Sequence, residues 1–308
     1  MVTHSKAVPL SRPVKLAFGG TILFMAAVLA YLGVGAYIAD QMSRPIRQPL
    51  RGTPGDQGLV YEDVTFPSAE DNIQLRGWLI DSPGDTTIIL VHATDGNRDD
   101  PTIGLPHVAE GLVRHNYDVL AFDLRAHGQS GGVHFTLGQQ ETRDVAGAID
   151  YLHSRGRTRI GALGWSLGAV TLLNSYAGQP ALQAVVTDSA FADLPAVLDQ
   201  ALPARTHLPG FFNPGIYLMS RVLYGVDVGS NRPEQAVVRL GARPLFLIHG
   251  ETDSDVPVAH AYRLRQAGAG NPHLQFWGVP GTPHVRAFQR YPDEYLGRVV
   301  AFFDQYLR

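Results

Sequence analysis

From Tyr61 to Arg308, short runs rich in Val, Ile, Leu and Phe alternate with stretches of helical period. This alternation constrains the chain more than any other feature. It predicts an α/β fold with a mostly parallel central sheet and helices on both faces. Leu59–Phe66 and Ile73–Ile80, parted by the turn-rich PSAEDN, read as an opening antiparallel pair. Thr87–His92, Asp118–Asp123, Arg159–Trp165, Leu182–Asp188, Pro244–His249 and His273–Gly278 follow as apolar runs suited to strands buried on both faces. Helices are expected at about 101–115, 138–155, 166–178, 257–268 and 292–307. In the last of these, Leu296, Val299, Val300, Phe303, Tyr306 and Leu307 make one apolar stripe. About 50 residues, 191–242, interrupt the alternation and read as a small helical cap insertion.

The N-terminal region is of another kind. Leu16–Ala39 carries no charged residue over 24 positions. As a helix it would measure about 36 Å, enough for a hydrocarbon core of about 30 Å. It lacks the polar stripe of a surface helix. It also exceeds the apolar region of a cleaved signal, about 7–15 residues, although Val34-Gly35-Ala36 would suit a cleavage site. The expected organisation is a tail (1–15), a single transmembrane helix (16–39), a linker (40–58) and one folded domain (59–308) with its cap at about 191–242. The linker holds three Pro, three Gly and three Arg and reads as a tether. Its arginines would suit anionic headgroups. Lys6, Arg12 and Lys15 before the span balance Arg44, Arg47 and Arg51 after it, so charge does not set the orientation. A single N-terminal anchor with its N-terminus in the cytoplasm would place the folded domain outside the cytoplasm.

The net charge of −3 argues against a nucleic-acid partner, which would need a basic face. The chain has no cysteine, which excludes disulfides, Cys-ligated zinc, iron–sulfur clusters and a thiol nucleophile. Asp99, Asp100 and His92 show no metal-ligand spacing and read as loop capping and packing.

The pattern G-x-S-x-G occurs twice. Gly128-Gln129-Ser130-Gly131-Gly132 runs on into glycine-rich sequence that cannot start a helix, and it reads as a turn. Gly164-Trp165-Ser166-Leu167-Gly168 follows the strand RIGALG and enters the helix LGAVTLLNSYAG. A strand–serine–helix junction is what a nucleophile elbow requires. The helix N-terminus aims free N–H groups at the reacting centre, and the Leu167 N–H can serve as an oxyanion donor.

A serine hydroxyl needs a base. Downstream of the strand ending at His249 lie His260, inside an expected helix, His273, opening a strand, and His284, in the loop after the last strand. His284 is the expected base. The loop HGETDSDVP offers Glu251, Asp253 and Asp255 as the acid that fixes the histidine tautomer. Asp253 leads and Asp255 is its rival.

Together these residues resemble the α/β-hydrolase superfamily from about Tyr61 to Arg308. ILVHATDGNRDD resembles its oxyanion loop, FDLRAHGQSGG its D-x-R-G-H-G-x-S-G turn, GWSLG its elbow, and HGETDSDVP and PGTPHV its acid and histidine loops. In detail the chain resembles bacterial serine hydrolases with one N-terminal span, of the serine aminopeptidase-like and esterase-like branch. The resemblance implies a second oxyanion donor on the backbone of Thr94 or Ala93. Ala93 and Ala126 stand where the pattern has glycine. The elbow is not G-x-S-W-G-G, which weighs against a proline-specific aminopeptidase.

The expected chemistry is acyl transfer from a small-molecule ester, lipid-like ester or thioester to water, with no cofactor and no metal. The apolar LPGFFNPGIYLM (208–219) would line an acyl pocket, touch the bilayer or simply pack cap to core, and Trp165 would shape a pocket or pack. Peptide or amide cleavage uses the same residues. A carbon–carbon hydrolase, a cofactor-free haloperoxidase and a non-catalytic membrane-anchored binding protein are the other readings. Ser166 argues against the dehalogenases and epoxide hydrolases of this fold, which place Asp at the elbow.

Overall fold

The computed structural model describes residues 11–308. Lys6 and most of the expected tail lie outside the described residues. Helix α1 covers Arg12–Ser43 and is long and apolar enough to cross a membrane. It runs past the expected end of the span.

The strands are β1 (Tyr61–Pro67), β2 (Gln74–Ile80), β3 (Thr86–Val91), β4 (Asp118–Phe122), β5 (Arg159–Trp165), β6 (Leu182–Asp188), β7 (Leu245–Gly250) and β8 (Leu274–Val279). They form one sheet in the order β1-β2-β4-β3-β5-β6-β7-β8. The pairs β1–β2 and β2–β4 are antiparallel and the remainder parallel. Helices α2 (Leu105–Arg114), α3 (Glu141–Ser154) and α4 (Leu167–Tyr176) cross between the early strands. The cap holds α5 (Leu194–Thr206), α6 (Asn213–Tyr224) and α7 (Pro233–Val238). Then come α8 (Ala259–Ala267), the short α9 (Ala287–Arg290) and α10 (Pro292–Leu307). Two apolar cores lie on the two faces of the sheet, one against α3, α4 and the cap, the other against α2 and α10. This is the α/β-hydrolase fold.

Two helices begin later than their patterns suggest, and side chains explain why. Asp100 accepts from the Thr102 N–H (2.8 Å), and Gly104 sits at φ +70°, so 101–104 is a turn. Glu141 accepts from the N–H groups of Thr136 (2.8 Å) and Gly138 (2.7 Å), which folds 136–140 into a turn ahead of α3.

The segment after α1 is no tether. Arg47 donates to the carbonyls of His127, Gly128, Ser130 and Gly132 at 2.8–3.2 Å. The Ile46 N–H reaches Asp95 (2.7 Å), and the Arg51 and Gly52 N–H groups reach Asp99 (2.6 Å each). Pro54–Gln57 forms a 3-10 turn. These bonds strap residues 44–58 to the domain.

Candidate active site

Ser166 lies between β5 and α4 at φ 48°, ψ −109°, a strained conformation for a residue with a side chain. Close packing enforces the turn. A Cβ on Gly168 would stand 2.1 Å from the Val91 carbonyl oxygen, so only glycine lets α4 start against β3. As the first residue of α4, Leu167 has an N–H with no intrahelical acceptor.

His284 stands in the loop after β8, half-buried. Its Nε2 accepts from the Ser166 hydroxyl (2.9 Å), and its Nδ1–H donates to Asp253 Oδ2 (2.6 Å). Asp253 is buried, and Asp255, its rival in the sequence, is exposed without a bond to His284. Asp253 Oδ1 accepts from the N–H groups of Asp255 (3.0 Å) and Val256 (2.8 Å). Burial works to raise the Asp253 pKa. His249 Nε2, 3.3 Å from the carboxylate, His284 and the Val256 N–H outweigh burial and hold it well below the usual carboxylate range. The acid therefore stays ionised near neutral pH. His249 went unnoticed in the sequence because its role depends on the conformation of the acid loop.

Backbone strain gathers around these three side chains. Ser189 has φ 61° and Val285 has φ 48°, a rare value for a β-branched residue. The Val285 N–H donates to Ser189 Oγ (3.1 Å), and Ser189 Oγ donates to Asp188 Oδ1 (3.0 Å). The Asp188 carbonyl accepts from the Ser166 N–H (2.8 Å), so one chain of bonds ties the histidine loop to the elbow. Asp188 is fully buried, and burial pushes its pKa up to about 6. Its Oδ2, the Tyr295 hydroxyl and Trp165 Nε1 have no hydrogen-bond partner among the described residues. Trp165 packs wholly inside and is not among the residues lining the cavity above Ser166.

Ala93 and Thr94 line the same cavity as Ser166 and His284. His92 Nδ1–H (2.7 Å) and the Gly96 N–H (3.1 Å) both donate to the Ala93 carbonyl. In a trans peptide the Thr94 N–H then points opposite to that carbonyl. His92 Nε2 accepts from the Leu124 N–H (3.0 Å), which fixes the tautomer. Burial lowers the His92 pKa to about 4, so the ring stays neutral. Of the two alanines standing where glycine is usual, only Ala126 takes a positive φ (63°).

The first serine motif lies elsewhere. Ser130 is buried, its hydroxyl donating to the Asp123 carbonyl (2.6 Å) and accepting from the Arg76 N–H (2.9 Å). His260 is buried in α8, its Nδ1 accepting from the Ala192 N–H (3.3 Å). His273 packs edge-on against Tyr306.

The cavity above Ser166 measures about 580 Å³, within the range of small-molecule sites. Its apolar wall is α5, not the 208–219 segment, which instead forms the start of α6 against α1. The α5 stripe was visible as Leu194, Val197, Leu198, Ala201 and Leu202 at helical spacing. Among the described residues no cluster of His, Asp and Glu is arranged to hold a metal ion.

The fold and this geometry can be set beside known proteins. The esterase Pf2001 of Pyrococcus furiosus superposes with a TM-score of 0.73 at 29% identity, covering 86% of this chain and 98% of the esterase. The uncharacterized protein YfhR of Escherichia coli (strain K12) is 27% identical over 250 residues, 78% of this chain and 80% of YfhR. The acylaminoacyl peptidase of Pyrococcus horikoshii shares the fold, with a TM-score of 0.60 at 15% identity over 81% of this chain and 42% of that one. The family model for the prolyl oligopeptidase family (peptidase S9) matches residues 125–308, more than half the chain. The chain belongs to the prolyl oligopeptidase family and is a serine hydrolase of the α/β-hydrolase fold.

Proposed function

We propose that this chain hydrolyses carboxylic esters through an acyl-enzyme on Ser166. The observation that carries this reading is the bonded row Ser166–His284–Asp253 at the base of a largely apolar cavity. Ser166 Oγ attacks the carbonyl carbon while His284 Nε2 takes its proton. Asp253 holds Nδ1–H and stabilises the imidazolium. The N–H groups of Leu167 and Thr94 receive the oxyanion, each such donor being worth roughly 3–4 kcal/mol in the transition state. His284 then protonates the leaving alcohol. Water, activated by the same imidazole, releases the acid.

The family model favours a second reading, cleavage of a peptide or amide. Three carboxylates line the cavity: Asp95 and Asp100 are engaged by the N–H groups of Ile46 (2.7 Å) and Thr102 (2.8 Å), and the exposed Asp255 is the one that could meet an α-amine. Purified full-length protein offered p-nitrophenyl butyrate and an aminoacyl p-nitroanilide separates the two. The ester reading predicts turnover of the first alone, abolished in Ser166→Ala. Turnover of the anilide alone would overturn it.

We also propose that α1 anchors the protein in a membrane with the hydrolase domain outside the cytoplasm. Protease added to intact cells should then degrade the domain. Protection until the cells are lysed would place it inside.

A further inference from the structure

The cavity above Ser166 follows α5 along its length. Leu194, Val197, Leu198, Ala201 and Leu202 line it as one stripe, and Arg205 and Thr206 extend the lining to the C-terminal end of that helix. The lining also includes Ile38 and Met42, one turn apart near the end of α1. Another part of the lining is polar, with Gln41, Thr94, Asp95, Asp100 and Thr102. Such a cavity suits an amphiphile.

The arrangement of helices shows where the α5 end leads. Beyond α5 the chain reaches Phe211 and Phe212, which stack with Tyr31 of α1 at 6.4 and 5.4 Å. The Tyr31 hydroxyl donates to the Phe211 carbonyl (2.8 Å) and accepts from the Gly215 N–H (3.0 Å). At the other end of the same pair, the Tyr224 hydroxyl donates to Asp40 (2.7 Å). Helix α6 thus runs beside α1 from Tyr31 to Asp40. Asn213 and Tyr217 of α6 bond Asp199 of α5, which runs back along the pair.

On the far side of Tyr31, α1 is bare. All 19 residues from Arg12 to Ala30 are exposed, with Leu16, Leu23, Phe24 and Leu29 each more than 65% accessible. The uncharged part of this stretch, Leu16–Ala30, is 15 residues, about 22 Å of helix, and Arg12 and Lys15 beyond it suit the headgroup level. The stretch 31–39, expected within the span, instead packs on the cap. A bilayer boundary near Tyr31 would set the aromatic cluster of Tyr31, Phe211 and Phe212 at the headgroup level. The C-terminal end of α5, and the end of the cavity beside it, would then lie at the membrane surface.

We propose that this cavity takes the acyl chain of a membrane-resident, long-chain ester, drawn from the bilayer along α5, and that α1 is a wall of the binding site as well as an anchor. The proposal rests on the reading of Ser166 as nucleophile. The serine oxygen bonds to the carbonyl carbon as the ester C–O bond breaks. The alcohol leaves with the proton held by His284, and water then frees the carboxylic acid.

Full-length protein reconstituted in phosphatidylcholine vesicles should be assayed with p-nitrophenyl butyrate and p-nitrophenyl laurate. The wild type should favour laurate in kcat/KM. Ala201→Trp on α5 and Met42→Trp on α1, which fill the cavity from two different helices, should each lower the laurate-to-butyrate ratio by about tenfold or more, the equivalent of two or more buried methylenes. Two walls are probed so that misfolding of one variant leaves the other to decide. Hydrolysis of butyrate without a preference for laurate, or a ratio that the folded variant leaves unchanged, would overturn the inference and spare the Ser166 reading. No hydrolysis of either ester, with no adduct from a fluorophosphonate probe, would overturn the Ser166 reading and this inference with it.

Discussion

The chain contains the same five-residue pattern twice and uses it for opposite purposes. At Ser130 the hydroxyl is buried and bonded on both sides to backbone, and the carbonyls around it are gripped by Arg47. At Ser166 the hydroxyl faces a cavity and meets an imidazole, and the backbone beneath it is strained. The glycines are alike in both copies, so the motif is not what distinguishes them. The difference comes from the following residues: GGVHFTLG continues as loop, whereas LGAVTLLNSY forms a helix whose N-terminus points at the serine. One copy clamps the N-terminal strap, and the other sets its hydroxyl against the His284 imidazole.

Removing the base from the second copy should have the largest effect. His284→Ala should lower kcat for p-nitrophenyl butyrate on the order of 10⁴- to 10⁶-fold, measured in detergent with folding checked by circular dichroism. A loss of only a few-fold would mean that His284 does not activate Ser166.

Next comes the buried carboxyl behind the elbow. The unfolded-state pKa of Asp188 is near 3.9, and the folded value is raised to about 6. A raised carboxyl pKa means that folding disfavours the ionised form. Stability is therefore lost as pH climbs from about 4 to about 6, by up to about 3 kcal/mol, and stays lost above that. Asp188→Asn should gain relative to wild type across that window, read as urea unfolding midpoints near pH 4.5 and pH 7. A difference independent of pH would show that Asp188 is not held near neutrality by its burial.

Ser130→Ala should leave hydrolysis intact and lower stability by about 1–3 kcal/mol, because the Arg76 N–H and the Asp123 carbonyl each lose a buried partner. A large fall in kcat with the fold intact would erase the contrast between the two serines. The smallest effect should come from Arg47→Ala. Arg47 is exposed, so its four carbonyl contacts should be worth about 1 kcal/mol, and their loss should quicken proteolysis within residues 44–58. Unchanged proteolysis would mean that the strap is held by its other bonds.

Much of this was legible in the sequence. The strand and helix alternation carried the sheet, and the loops after the last two strands carried Asp253 and His284, because chain order on this fold fixes where such loops emerge. What stayed hidden depends on contacts between distant residues. Asp253 and Asp255 differ by two positions, and only the loop conformation turns one towards His284. Three Pro, three Gly and three Arg in 40–58 describe a tether and a strap equally well. The bonds that decide, such as Arg47 to the carbonyls near Ser130, span some 80 residues. The cap offered two apolar stretches. The one with Phe211 and Phe212 packs on α1, and the one from Leu194 to Leu202 lines the cavity, which only the fold around them decides.

The central claim, that Ser166 and not Ser130 is the activated serine, is tested most directly by mapping a fluorophosphonate adduct by mass spectrometry on the full-length protein. The account predicts a single adduct on the peptide containing Ser166, absent in Ser166→Ala, present in Ser130→Ala and strongly reduced in His284→Ala. An adduct on the Ser130 peptide, or none on folded wild type, would contradict it.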